Sequence, residues 1–74
     1  MDIKKEFGRL VRKRRRDLDM SQEELGDTAK LNRGYISDIE RGIRNPSLEV
    51  IDRIAKALGM DLAELFALRG KFEI

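Results

Sequence analysis

The sequence contains no cysteine, no histidine and no tryptophan, and it has a single proline. Without cysteine there is no disulfide framework, no thiolate metal site and no cysteine nucleophile. Without histidine the chain lacks the commonest general base, the commonest metal ligand and the side chain that titrates near neutrality. The longest uninterrupted apolar run is residues 65–68, far too short to cross a bilayer. The early Lys and Arg residues are not followed by the apolar segment of a signal peptide, so a cytoplasmic protein without a membrane partner is expected. Strand signals are missing as well, with no alternating β-branched run and no hairpin dipeptide. There is no internal repeat or low-complexity stretch. A chain of 74 residues is expected to be one domain spanning 1–74, since cores divide only beyond about 250 residues.

What is present is helix punctuation. Met20-Ser21 with Leu25, Leu31-Asn32 with Ile36 and Met60-Asp61 with Leu65 each fit a hydrophobic staple around an N-cap. Ser21 with Glu24 and Asp61 with Glu64 add the reciprocal acid of a capping box. These predict helix starts near Ser21, Asn32 and Asp61. The stripe Ile3, Phe7, Leu10, Val11 and Leu18 predicts a first helix over roughly 2–18. A fourth runs from about Ser47 to Leu58, led by Asn45-Pro46 and closed by Gly59. Its apolar arc is wide enough to suit the centre of a bundle or a helix covered by a second subunit. The expected fold is all-α, a compact bundle of five short helices.

Charge is unevenly placed although the net charge is only +2. Residues 1–20 hold eight Lys/Arg against four Asp/Glu, and arginine outnumbers lysine ten to six. Arginine is the better bidentate partner for phosphate and guanine, and such asymmetry fits a polyanion partner as well as a solvated helix face. The short gap between the second and third helices forces a sharp turn, the geometry of a helix-turn-helix over about 21–41. On the third helix, Tyr35, Ile36, Ile39 and Glu40 share one side, while Arg33, Gly34, Ser37, Asp38 and Arg41 share the other. A major groove admits a helix whose N-terminal residues approach base edges. An ordinary amphipathic helix with a polar exterior reads the same way on periodicity alone.

The residues SQEELG at 21–26, LNRGYISDIERG at 31–42 and RNPSLE at 44–49 resemble the phage-repressor-like Cro/Xre helix-turn-helix family over roughly residues 3–68. Within it, NRGYISDIERGIRN is most similar to the controller proteins of restriction–modification systems. The resemblance implies base contacts from Arg33, Gly34, Ser37 and Asp38. It implies phosphate contacts from Gln22, Tyr35, Arg41, Arg44 and Asn45, and a structural ion pair between Arg15 and Glu40. The sequence departs from the family pattern at five positions, one of them Arg14, in a place often filled by an apolar residue. Asp19 and Lys30 occupy places usually held by glycine, Gly26 replaces a usual alanine, and Asp38 carries a carboxylate towards the groove side.

The function this implies is sequence-specific transcriptional regulation by a homodimer on double-stranded DNA, with a (pseudo)palindromic operator. The C-terminal segment 47–74 is expected to dimerise through Leu62, Leu65, Phe66 and Phe72. An antitoxin-like or adaptor module on the same fold is the alternative, with RNA polymerase or a cognate toxin open as protein partner. An enzyme is not expected, because no spacing assembles carboxylates or lysines for catalysis. No cofactor and no metal site is expected. Ser21, Ser37 and Ser47 read as caps or DNA contacts.

Overall fold

The computed structural model describes residues 2–72, with side chains through residue 67. Five helices follow in order: α1 (Ile3–Asp17), α2 (Gln22–Ala29), α3 (Arg33–Glu40), α4 (Leu48–Ala57) and α5 (Leu62–Phe72). The starts are where the capping side chains stand. Ser21 accepts from the Glu24 N–H, and Glu24 accepts from the Ser21 N–H, completing the box. Asn32 and Ser47 accept from the Tyr35 and Val50 N–H groups. Asp61 and Glu64 form a second reciprocal pair. One cap was not anticipated: Asp2 accepts from Lys4 and Lys5 and opens α1.

The apolar half of each staple becomes core. Leu25, Ile36 and Leu65 are fully buried, and Met20, Leu31 and Met60 pack on them from the rim. Phe7, Leu10 and Val11 of α1, Ala29 of α2, Ile39 of α3, and Ile54, Ala55 and Leu58 at the α4 end complete the interior among the described residues. Two expectations need correction. The α1 stripe is buried only at its middle, because Ile3 and Leu18 lie at the two ends of the helix, Ile3 on the rim of an open groove, and remain exposed. Leu65 is not available to a partner subunit, since its staple position carries it into the monomer core.

α3 lies against both α1 and α2, α2 also meets α4, and α5 closes on α1 and α4. The crossing of α1 and α3 is set by Gly8, where a Cβ would fall onto the carbonyl oxygens of Ile39 and Glu40. Four residues and seven residues further along α1, on the same face, come Arg12 and Arg15. Gly8 therefore decides how near those arginines come to the end of α3.

Helices α1 to α4 end alike, on a residue in the left-handed region that is followed by a hydrogen bond back to the carbonyl five residues earlier. The closing bonds are Met20 to Arg15, Leu31 to Gly26, Ile43 to Asp38 and Met60 to Ala55. Gly42 and Gly59 meet this geometry without cost, whereas Asp19 (φ 55°) and Lys30 (φ 62°) adopt it with side chains. Both glycine departures thus leave the turn intact and change only its energy. Among the described residues, no helix is long and apolar enough to cross a membrane.

Lys30→Gly is expected to raise stability by about 1 kcal/mol, the cost of a left-handed side-chain residue. Gly8→Ala is expected to lower it, because overpacking of about 1–3 kcal/mol or more exceeds the roughly 1 kcal/mol gained in helix propensity. Urea denaturation of both variants measures the two signs.

Candidate nucleic-acid interface

Glu40 closes α3, and its side chain is 0% exposed. Three side chains from two other helices surround it. Arg15 makes a two-pronged contact, Nε to Oε2 at 2.6 Å and Nη2 to Oε1 at 3.0 Å. Arg12 Nε donates to Oε1 at 3.4 Å, and Gln22 Nε2 donates to the same oxygen at 3.2 Å. Arg15 also donates from Nη1 to the Met20 carbonyl at 2.7 Å, so one guanidinium holds α3 and the α1–α2 turn together. Bidentate, charge-assisted contacts of this kind are the strong ones. They fix the angle at which α3 leaves the bundle.

The structure therefore brings Arg15 and Glu40 together as an ion pair, and it adds Arg12 and Gln22 to it. Composition counts Arg12 only among the Lys and Arg residues of 1–20 and gives no sign of a partner 28 residues away. Gln22, expected at a phosphate, spends one amide N–H inward on Glu40 and is only half-buried.

The outer surface of α3 is open at its N-terminal end. Arg33 and Gly34 follow the Asn32 cap and are exposed, and Ser37, one turn on, is half-buried. At the C-terminal end the side chains are tied to one another. Arg41 Nη2 donates to Asp38 Oδ1 at 2.8 Å, and Arg44 Nε donates to Asp38 Oδ2 at 3.2 Å. The Arg44 guanidinium lies over the Tyr35 ring, 5.0 Å from its centroid, within cation–π range. Asp38 also holds this loop through its main chain, since its carbonyl accepts from the Ile43 N–H. The hydrogen bond from Arg41, with Arg44 adding to it against partial desolvation, holds the Asp38 carboxyl below its usual range. A lowered carboxyl pKa stabilises the folded state above the unfolded value and ceases to do so as pH falls through the folded value.

Asn45 is exposed and borders an apolar groove with Ile3, Lys4, Phe7, Pro46 and Phe66, so it stands apart from the Asp38 cluster. Of the C-terminal residues singled out in the sequence, Leu62 is half-buried and Phe66 exposed, its ring 6.4 Å from that of Phe7. Phe72 lies outside the described side chains. The sequence reading also missed two arginines that end helices. Arg14 Nε donates to the Leu58 carbonyl at 3.2 Å, and Arg53 donates to the Ala29 and Lys30 carbonyls at 3.0 and 2.6 Å. An apolar residue is usual at position 14 in the resembled family, and that departure was the available signal.

Residues 11–65 match the helix-turn-helix family model. The chain belongs to the helix-turn-helix family of Cro/Xre type. It is similar to control protein C.BamHI of Bacillus amyloliquefaciens, 52% identical over 60 residues that cover 80% of this chain and 74% of that one. Its fold is similar to the restriction–modification controller protein C.AhdI of Aeromonas hydrophila, with a TM-score of 0.81, 40% identity, and 84% and 94% of the two chains covered. It is also similar to the C.Esp1396I controller protein solved as a tetramer with its natural 35 base-pair operator. That match has a TM-score of 0.85 and 31% identity, and covers 90% of this helix-turn-helix chain and 88% of that one. The antitoxin-like or adaptor alternative receives no support from these relatives.

Removing one partner of a buried pair strands the other charge, so Arg15→Ala in this helix-turn-helix protein is expected to cost about 3–5 kcal/mol. Arg12→Ala, whose side chain is 42% exposed, is expected to cost no more than about 1 kcal/mol. Thermal melts of the two variants compare them directly.

Proposed function

We infer that this chain is a sequence-specific DNA-binding transcriptional regulator of the restriction–modification controller kind, which binds a (pseudo)palindromic operator as a homodimer with α3 in the major groove. The observation that carries this reading is the α3 exterior. Arg33 and Gly34 are exposed at its N-terminus, arginines stand at its far end, and Glu40 clamps the helix to the bundle. Gly34 leaves room beside Arg33, and the two-pronged guanidinium suits guanine O6 and N7. Ser37 and Asp38 follow one turn later along the same surface. Arg41, Arg44, Tyr35, Asn45 and Gln22 flank it as the residues that would meet phosphate, fixing register without reading sequence. The controller relatives support the same reading, and one of them is described as a tetramer on its operator.

A single recognition helix reads only a few base pairs, and a two-fold dimer doubles that length on half-sites about one helical turn, roughly 34 Å, apart. Leu62, Phe66 and Phe72 of α5 are the dimer-face residues in this reading, supported by the 39% exposure of the large Phe66 side chain.

Arg33→Ala is expected to cost about 1–3 kcal/mol per half-site and to flatten preference at one base position. Selection from a random duplex pool followed by titration of base-substituted operators checks this. A uniform loss with base preference intact would place α3 elsewhere. Phe66→Lys is expected to shift the micromolar sedimentation profile from dimer to monomer. A wild-type chain that sediments and binds as a monomer would defeat the dimer.

A further inference from the structure

The Asp38 carboxylate sits on the surface offered to DNA, where a negative charge opposes phosphate, yet both of its oxygens are engaged by arginines otherwise suited to grip the backbone. Resting on the reading of α3 as the recognition helix, we propose that Asp38 is a specificity-determining residue that holds Arg41 and Arg44 back from phosphate and releases them opposite a cytosine amino group.

The exchange follows from donor and acceptor counts. In the free protein Arg41 and Arg44 each give one N–H to a separate Asp38 oxygen, and the three side chains together carry one positive charge rather than two. The Arg44 guanidinium is further held over Tyr35, and the Ile43 N–H to Asp38 carbonyl bond fixes the loop that carries both arginines. The arginines are 59% and 52% exposed and Asp38 is 23% exposed, so DNA can compete for all three without unfolding anything. If phosphate takes an arginine, the carboxylate loses a donor and needs another. Cytosine N4 supplies one in the major groove with no acceptor of its own base beside it, adenine N6 supplies one only next to the N7 acceptor that repels a carboxylate, and guanine O6 and N7 and thymine O4 present only acceptors. Opposite cytosine, both the arginines and the carboxylate are satisfied. Opposite an acceptor edge, the carboxylate keeps its arginines or faces repulsion. Phosphate affinity and base identity are thereby coupled at one residue.

Asp38→Asn keeps the shape of the side chain and removes its charge. Wild type and variant are titrated against a pool-selected operator and a scrambled duplex at several salt concentrations between about 50 and 200 mM, where phosphate contacts dominate the salt response. The variant is expected to bind the scrambled duplex more tightly, with a salt slope steeper by about 0.9 for each arginine released in each subunit. Discrimination at one base pair per half-site is expected to fall from the roughly 5- to 150-fold typical of a mismatch towards none. An equal loss of affinity on both duplexes with unchanged slope would overturn the proposal and make the carboxylate a scaffold for the arginines. Wild-type preference that survives Asp38→Asn at every position, again with unchanged slope, would defeat the role of Asp38 alone. A wild-type chain with no preference among duplexes would defeat the recognition-helix reading and the proposal with it.

Discussion

A carboxylate buried in an 8.6 kDa domain is the constraint on which the rest of the structure depends. An ionised glutamate withdrawn from water is costly by several kcal/mol unless its oxygens are matched by donors of good geometry. Glu40 is matched by Arg15 at both oxygens, with Arg12 and Gln22 completing the shell. Meeting that demand fixes three things together: the crossing of α1 and α3, the turn after α1 through Met20, and the start of α2 at Gln22. The glycine at position 8 is part of the same arrangement, because a side chain there would push the α3 carbonyls away from the helix that carries both arginines. A polar network of this sort adds little net stability compared with an apolar core, and its evident use here is to give α3 one orientation.

The arginines divide by task in a way that composition hides. Arg15 is committed to Glu40, while Arg14 and Arg53 donate to carbonyls that end α4 and α2. Arg41 and Arg44 are exposed but share a carboxylate. The excess of positive charge near the N-terminus is thus partly internal scaffolding, and the cations at the α3 exterior are fewer than a count along the chain implies. Favourable placement of the cationic groups at helix C-termini explains why an arginine can stand at position 14 without disturbing the bundle.

Much of the local structure was legible from residues a few positions apart. The capping boxes at Ser21 and Asp61, the cap at Asn32 and the staples that deliver Leu25, Ile36 and Leu65 to the core act within a single turn of helix, so spacing alone reveals them. The pairing of Arg15 with Glu40 was available only through family resemblance, since nothing local links positions 25 residues apart. Asp38 and Arg41 were expected to meet base and phosphate separately, although their i,i+3 spacing is one that ion pairs use, and the return of Arg44 to the same carboxylate depends on the loop through Gly42. Leu65 shows the opposite failure, where an apolar residue near the C-terminus suggested an interface while its staple position sends it inward.

The sequence by itself determined the five helices of the described residues, the capped starts of α2 to α5 and which face of α3 is polar, because capping and periodicity are short-range and each residue's contribution is set by its immediate neighbours. Only the tertiary structure decided which charges are spent and which remain available. Whether an arginine is a helix cap, a buried counter-ion or a free cation depends on which carbonyl or carboxylate the fold places within about 3 Å of it. That distance is fixed by packing at Gly8 and Gly42 and by the turns at Asp19 and Lys30, not by position along the chain.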